Sequence, residues 1–159
     1  MDIVFIPVNL ERDLSTCVTF RRDAWFISHG SDKGFSEDDA IRWFYSLSEE
    51  SPDGFFHIWH EKKIIGQLEF KSGIETSDNQ RAGYVNLFYL APAYRGKGLG
   101  QVIHSYVVDK LIEDQCVGAM LRYIPGNFQA ERFYLKNGWY KSADADQNRG
   151  QPMRKDFNE

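Results

Sequence analysis

The stretch LFYLAPAYRGKGLGQ, residues 87–101, decides the fold because a buried strand passes through a glycine-rich turn into a helix. Gly96, Gly98 and Gly100 stand in this turn beside Arg95 and Lys97. Glycine costs conformational entropy, so such a cluster marks backbone that turns sharply or approaches something closely. The two cationic side chains indicate that the group approached by this backbone is an anion. The free N–H groups at a helix N-terminus favour the same kind of ligand.

The segments on either side support this interpretation. YVNLFYL (84–90) is apolar on both faces, which predicts a strand inside the sheet rather than an exposed edge. After the turn, one apolar stripe at helical spacing predicts a helix that packs on the sheet, formed by Leu99, Val102, Ile103, Tyr106, Val107 and Leu111.

The rest of the chain alternates between further strand and helix patterns. Apolar or alternating runs predict strands at 3–7, 55–60, 63–70, 119–124, 139–141 and 151–157. Helical spacing and capping residues predict helices at 10–28, from Ser36 to 49, and from Asn127 to Gly138. Residues 72–83 are polar and are expected to form a loop. This order predicts an α/β fold with a mixed, mostly antiparallel central sheet and helices on both faces.

Length and composition narrow the class of protein. The 159 residues suit one domain over 1–159, and a net charge of −4 argues against nucleic acid or an anionic membrane as partner. Cys17 and Cys116 lie far apart and the four histidines show no ligand spacing, so we expect reduced thiols, a cytoplasmic protein and no metal. The N-terminus lacks the basic region of a signal peptide, and no run is long enough to span a membrane.

Three phosphate-binding patterns can be compared with the glycine turn. A Walker loop would need Gly at the position of Ala91 and Ser or Thr at Gly98, and a dinucleotide fingerprint would need a third glycine beyond Gly100. The pattern R-x-x-G-x-G, from Arg95 to Gly100, does fit. With NFQAERFYLKNGW at 127–139, the sequence resembles the GCN5-related N-acetyltransferase (GNAT) family over about residues 55–142.

This resemblance implies a binding site for acetyl-coenzyme A. The family's central strands splay apart, and the edge formed by Phe88, Tyr89 and Leu90 would pair with the pantetheine arm. The Leu90 N–H would polarise the acetyl carbonyl, and Asn127 would contact the pantetheine or simply cap a helix. The pyrophosphate would lie in a loop formed by Arg95, Gly96, Lys97, Gly98, Leu99, Gly100 and Gln101.

The resemblance also implies catalytic roles. Tyr134 would protonate the departing thiolate, although the same spacing also fits a packed core residue. A protonated amine must lose a proton before it attacks, and Glu69 on a neighbouring strand is our main candidate for the base. Glu11, Glu37, His57 and water are alternatives. Asn86 stands where some relatives place a carboxylate base, and this departure argues against a direct glutamate base from this strand.

The function implied is an acetyl-CoA-dependent N-acetyltransferase that transfers the acetyl group directly in a ternary complex. Helices 10–28 and 36–49 would form the side of the cleft that receives the amine of a small molecule or peptide. The alternatives are a non-catalytic acyl-CoA-binding module, an enzyme that uses longer acyl chains, and a protein-modifying acetyltransferase. The protein would be a monomer or a homodimer.

Overall fold

The computed structural model describes residues 1–157, which contain seven strands and four helices. In chain order they are β1 (Val4–Pro7), α1 (Leu10–His29), α2 (Glu37–Glu50), β2 (Phe55–His60), β3 (Lys63–Glu75), β4 (Arg81–Leu90), α3 (Leu99–Glu113), β5 (Gly118–Tyr123), α4 (Phe128–Lys136), β6 (Tyr140–Lys141) and β7 (Gln151–Asp156). The predicted order of strands and helices is confirmed, with boundaries shifted by a few residues.

The strands form one sheet in the order β1-β2-β3-β4-β5-β7-β6. All neighbouring pairs are antiparallel except β4 with β5, which run parallel. The predicted mixed, mostly antiparallel sheet is therefore confirmed. The single parallel pair follows from the chain order, because α3 forms the crossover that a parallel connection requires.

Helices cover both faces of the sheet, as predicted. On one face, α3 buries Leu99, Ile103, Val107 and Leu111 against aliphatic and aromatic side chains of β2 to β5. On the other face, α1 and α2 pack around Cys17 and Phe44, and Phe20 of α1 contacts β4.

Side-chain caps explain where several helices begin. The side chain of Ser36 accepts a hydrogen bond from the Asp39 N–H at 3.1 Å, and Asn127 accepts one from Ala130 at 3.3 Å. These caps satisfy backbone donors of the first turn that have no partner within the helix. Both predicted helix starts are confirmed.

The prediction of a loop over 72–83 is wrong for most of that range. β3 continues to Glu75 and β4 begins at Arg81, so the connection between the two strands is only residues 76–80. Ile74 pairs with Ala82 and Glu75 with Arg81. Backbone pairing holds this hairpin end together, and pairing of this kind needs no apolar side chains, which is why the polar sequence concealed it.

A β-bulge in β4 changes the direction in which its side chains point. Val85 pairs with Phe70 and Leu87 with Glu69, so Asn86 is the extra residue on this strand. As a consequence Val85 packs on the α3 face, whereas Leu87 packs on the α1 face.

The same strand separates from β5 beside the bulge. The two strands share only the pairs Gly83 with Ala119 and Tyr84 with Met120. From Val85 to Leu90, the β5-facing edge of β4 has no ladder partner among the described residues. The expected splay of the central strands is confirmed.

Candidate active site

The gap between β4 and β5 exposes backbone donors of β4. The Ala91 N–H donates to the Ile65 carbonyl of β3 at 2.8 Å. In an antiparallel strand, the N–H groups of successive residues point to alternate edges. The N–H groups of Phe88 and Leu90 therefore point away from β3, toward the gap. This orientation suits the roles expected of this edge, namely pairing with an extended ligand and polarising a carbonyl.

The glycine turn leads from the end of β4 into α3. Gly96 and Gly98 have φ of +75° and +83°, and a Cβ at either position would meet no atom within 4 Å. Gly98 occupies the N-cap of α3 and has no side chain to cap the first turn. The N–H groups of residues 96–98 donate none of the described hydrogen bonds. The turn therefore presents unpaired donors and open space at the positive end of a helix, which is a suitable site for an anion.

Arg95 does more than add charge to this turn. Its Nε donates to the Leu90 carbonyl at 2.8 Å, and its Nη2 donates to Asp23 of α1 at 2.8 Å. Asp23 also accepts a hydrogen bond from the Tyr89 hydroxyl, and the Arg95 guanidinium lies 5.3 Å from the centre of the Tyr89 ring. Arg95 thus fastens α1 to the end of β4. Lys97 is exposed and makes none of the described ion pairs.

Two cavities meet at the gap from opposite sides. The smaller, of about 270 Å³, is bordered by the turn and α3 through Gly96, Gly100 and Ile103. The larger, of about 610 Å³, is bordered by α1 and α2, and aromatic side chains such as Trp25 and Trp43 form part of its wall. The residues lining both cavities are Ile27, Phe88, Tyr89, Leu90, Arg95, Asn127, Ala130 and Tyr134. Two ligands could therefore approach one point from opposite sides of the sheet.

Tyr134 lies at this meeting point. Its ring packs against Tyr123 and Trp139, with ring centroids 6.1 Å and 6.0 Å away, and the side chain is half-buried. Its hydroxyl takes part in none of the described hydrogen bonds. Burial raises the pKa of Tyr134 to about 12, so the hydroxyl keeps its proton at neutral pH. The residue both packs and presents a proton donor to the cavities.

Three of the remaining residues expected in the cofactor site have different environments. Asn127 caps α4 and lines both cavities, so the expected cap and the expected contact are compatible. Gln101 is exposed and donates to the Asn137 side chain at 2.6 Å. Leu99 is buried in the core and could contribute only its backbone.

Glu69 lies behind the wall of the larger cavity. Its side chain is 0% exposed, and it accepts hydrogen bonds from Arg21, Trp43 and Gln67. Arg21 and Trp43 line the cavity, whereas Glu69 does not. The role of Glu69 as base stays a prediction, and a proton would have to reach it past these neighbours or through water.

The alternative bases lie in less suitable places. Glu11 and Glu37 are exposed, and Glu37 pairs with Arg22 at 3.3 Å. His57 is buried and lines neither cavity, and burial lowers its pKa. Asn86 does line the larger cavity, and its buried Oδ1 has no hydrogen-bond partner, but an amide cannot take up a proton.

Two further features were sought within residues 1–157, a metal-binding cluster and a membrane-spanning helix. Among residues 1–157, no group of three or more His, Cys, Asp or Glu side chains is placed to hold a metal ion. Within the same residues, no helix combines the length and apolar character needed to cross a bilayer.

Comparison with protein families identifies the chain. The model of the acetyltransferase (GNAT) family matches residues 17–139. This chain belongs to the GNAT family. The match includes the bulged strand, the glycine turn and Tyr134, and family membership makes the protein an acyltransferase. A search of curated protein sequences found no match.

Solved structures with the GNAT fold resemble the chain along almost its full length. Ard1 from Thermoplasma volcanium has a TM-score of 0.77 at 15% identity and covers 100% of both chains. PaiA N-acetyltransferase from Thermoplasma acidophilum, solved with coenzyme A, has a TM-score of 0.71 at 21% identity, over 99% of this chain and 100% of its own. Naa20 from Chaetomium thermophilum, solved with a bisubstrate analogue, has a TM-score of 0.71 at 16% identity, over 99% of this chain and 87% of its own.

Several side chains at the site were missed by sequence reasoning. Arg21 and Asp23 of α1 hold β3 and the glycine turn, and Arg122 and Arg149 line the larger cavity. Each partner of Arg21 and Asp23 lies 48 or more residues away, so no local spacing reveals the contact.

Replacing Gly98 with Asp tests the turn as an anion site. A carboxylate here would place negative charge where a pyrophosphate is expected, so the Kd for coenzyme A should rise roughly 100-fold or more. Gly98→Asn is the matched control, because Asn has the same shape, tolerates positive φ and carries no charge. Calorimetry on both folded variants measures the difference. Unchanged affinity in Gly98→Asp would show that the turn holds no phosphate.

Proposed function

We propose that this protein transfers the acetyl group of acetyl-coenzyme A to the primary amine of a small molecule or a peptide. The observation that carries the proposal is the pair of cavities that meet at Leu90 and Tyr134. One cavity borders an anion-binding turn and the other borders the two N-terminal helices. A donor and an acceptor bound on opposite sides could therefore react directly, without an acetylated enzyme.

The chain's own groups suit this cosubstrate. Acetyl-coenzyme A supplies a thioester whose acetyl group is already activated toward an amine. The unpaired N–H groups of residues 96–98 and the first turn of α3 would hold its pyrophosphate. The free edge of β4 would pair with the pantetheine arm, and Asn127 would contact the same arm. The Leu90 N–H would stabilise the negative charge that develops on the acetyl oxygen.

Neither cysteine is suited to carry the acetyl group. Cys17 and Cys116 are buried, and neither lines a cavity at the gap. Burial, together with the nearby Glu69 carboxylate, raises the pKa of Cys17 to about 12, which leaves almost no thiolate at neutral pH. Direct transfer in a ternary complex is consistent with both facts.

The kinetic pattern tests direct transfer. Initial rates measured against both substrates, with a thiol-release assay and a panel of amines, should give intersecting double-reciprocal lines. Direct transfer predicts this pattern because both substrates must be bound before any product leaves. Parallel lines, together with an acetylated enzyme in the mass spectrum, would instead indicate a covalent intermediate.

We propose that Tyr134 donates its proton, or a hydrogen bond, to the departing thiolate. Its hydroxyl lacks a described partner, so it is available to a ligand. A thiol has a pKa of about 8.5, well below that of this phenol, so the thiolate can leave with only a hydrogen bond. The expected contribution is therefore at the lower end of the range for general acids.

Tyr134→Phe tests this role. Turnover should fall by roughly 10²-fold, within the 10²–10⁴-fold range of a general acid, while the KM for acetyl-coenzyme A stays nearly unchanged. Stability should change little, because no described partner loses a hydrogen bond. Tyr106→Phe is the control, since Tyr106 stacks on Phe5 at 3.7 Å and lines neither cavity.

Both variants need turnover and melting temperature measured together. If Tyr134 serves only to pack α4 against the sheet, Tyr134→Phe will keep near-normal turnover when chemistry limits the rate. That outcome would leave the thiolate to be protonated by water.

The proposed role of Glu69 as base can be separated from a role in holding Arg21 and Trp43. Glu69→Gln should lower the free energy of unfolding by about 1–3 kcal/mol, less than for a fully enclosed ion pair because Arg21 is 26% exposed. If Glu69 takes the proton, Glu69→Gln also lowers kcat roughly 10²-fold or more, because an amide cannot accept a proton. Arg21→Lys, which keeps the positive partner, should keep a kcat close to that of the unchanged protein. An unchanged kcat in Glu69→Gln, or an equal loss in both variants, would contradict the role as base.

The identity of the acceptor, the cellular location and the oligomeric state are also proposals. A small amine is one candidate, because the larger cavity, of about 610 Å³, has a volume that suits a small molecule. A peptide N-terminus is also included, because Naa20 was solved with a bisubstrate analogue and NatC with a Gag peptide and coenzyme A. We infer a cytoplasmic monomer or homodimer from the sequence.

A further inference from the structure

The wall of the larger cavity holds two arginines whose charge no described ion pair compensates. We propose that the acceptor carries a carboxylate as well as an amine, and that Arg122 and Arg149 bind this carboxylate. The proposal rests on the proposed function, since it places the acceptor in the larger cavity. It adds the chemical class of the acceptor, which neither the fold nor family membership supplies.

The balance of charge in the cavity supports the proposal. The acidic, basic and histidine side chains that line it are Arg21, His29, Asp39, Arg95, Arg122 and Arg149. Arg21 pairs with Glu69, Arg95 pairs with Asp23, and Asp39 pairs with Arg42. Arg122 and Arg149 remain without an ion pair among the described residues. Arg122 is half-buried and Arg149 is exposed, so an anion would compensate the Arg122 guanidinium where water is partly excluded, and the fork of N–H donors on each side chain matches a carboxylate.

The direction of β5 explains why Arg122 faces the acceptor side. Leu121 and Tyr123 belong to the core beneath α3, so the residue between them points to the opposite face. Arg122 is half-buried there and stands opposite Pro152 of β7, which offers no acidic partner.

The loop before β7 is built so that Arg149 lies at the end of β5. Asp146 and Gly150 exchange two backbone hydrogen bonds, at 2.9 Å and 2.8 Å, which close the loop. Gly150 has a φ of +90°, and a Cβ there would lie 2.5 Å from the Tyr123 carbonyl oxygen. Only a residue without a side chain allows so close an approach, and this approach places Arg149 beside the cavity.

Asp146 is a carboxylate close enough for its charge to interact with both arginines, and one of its oxygens bonds to the backbone of its own loop. Its Oδ1 accepts the N–H groups of Asn148 and Arg149 at 2.8 Å and 3.1 Å. Its pKa is lowered first by these two backbone donors and to a lesser extent by the charges of Arg122 and Arg149. Asp146 is exposed, does not line the cavity and forms none of the described ion pairs with either guanidinium group.

The opposite wall suggests an apolar part of the same acceptor. The Trp25 indole N–H donates to the Lys33 carbonyl at 3.2 Å, and the Trp43 indole N–H donates to Glu69 at 2.7 Å. Because both N–H groups are used, these indoles meet the cavity as apolar surfaces. An amine with a carboxylate and an apolar side chain, such as an aromatic amino acid, matches both walls.

Matched acceptors test the proposal directly. Phenylalanine, phenylalaninamide and phenethylamine share a ring and an amine but differ in the carboxylate. We expect kcat/KM to be roughly 10- to 100-fold higher for phenylalanine, the usual worth of one charge-assisted contact. The dipeptides Ser-Glu-amide and Ser-Gln-amide test whether the carboxylate comes instead from a peptide side chain. Equal or faster acetylation of the carboxylate-free member of both sets would overturn the proposal.

Substitutions assign the effect to the two arginines. Arg122→Gln and Arg149→Gln should each raise the KM for the preferred carboxylate acceptor roughly 10- to 100-fold. The kcat/KM for phenethylamine and the KM for acetyl-coenzyme A should stay unchanged. Arg81→Gln is the control, because Arg81 is exposed on β4 at the end away from the gap and pairs with Asp114. An equal loss with every acceptor would indicate a structural role and contradict the proposal.

A binding measurement separates failure of this inference from failure of the proposed function. N-acetylphenylalanine, the product expected from phenylalanine, should bind the coenzyme A complex, and the Arg122→Gln/Arg149→Gln double variant should lose that binding. If no amine is acetylated but this binding difference is found, the proposed function fails while the carboxylate site stands. If amines are acetylated without any such difference, the carboxylate site alone is wrong.

Discussion

The parting of β4 from β5 is the constraint on which the rest of the site depends. A sheet strand normally satisfies its backbone donors on both edges, but β4 keeps only two pairs with β5 and then leaves one edge open. The bulge at Asn86 accompanies this change, because an extra residue bends a strand and breaks its register. Unpaired donors inside a protein are costly unless a ligand or water meets them. The interrupted pairing between β4 and β5 therefore provides the candidate binding site.

Charge pairs hold α1 against the two strands, β3 and β4, on one side of this opening. Arg95 binds the Leu90 carbonyl and Asp23 together, which ties α1 to the strand end that precedes the glycine turn. Arg21 and Glu69 tie the same helix to β3. Because both links start from one turn of α1, a shift of that helix would disturb the larger cavity and the glycine turn together.

The sequence predicted the features that depend on local pattern. The strand over 84–90, the glycine turn, and the helices that follow Gly98 and Asn127 all rest on periodicity, glycine or capping within a few residues. The extent of the β3–β4 hairpin was missed, because backbone pairing held polar residues in strands. The pairing of Glu69 with Arg21 and that of Arg95 with Asp23 were missed as well, because the partners lie 48 and 72 residues apart. Their proximity is a product of packing, which spacing does not encode.

The two faces of the sheet consequently differ in the kinds of side chain that they bury. The α3 face is mainly apolar, and it supports a turn whose function depends on backbone groups and on the absence of side chains. The α1 and α2 face buries His57, Gln67 and Glu69, which hydrogen-bond to one another, and Glu69 also accepts from Arg21 and Trp43 of the helices that line the larger cavity. A substitution of one of these three residues would alter the support of the wall of the larger cavity. The glycine turn depends on other groups, namely its own glycines and the contact of Arg95 with Asp23.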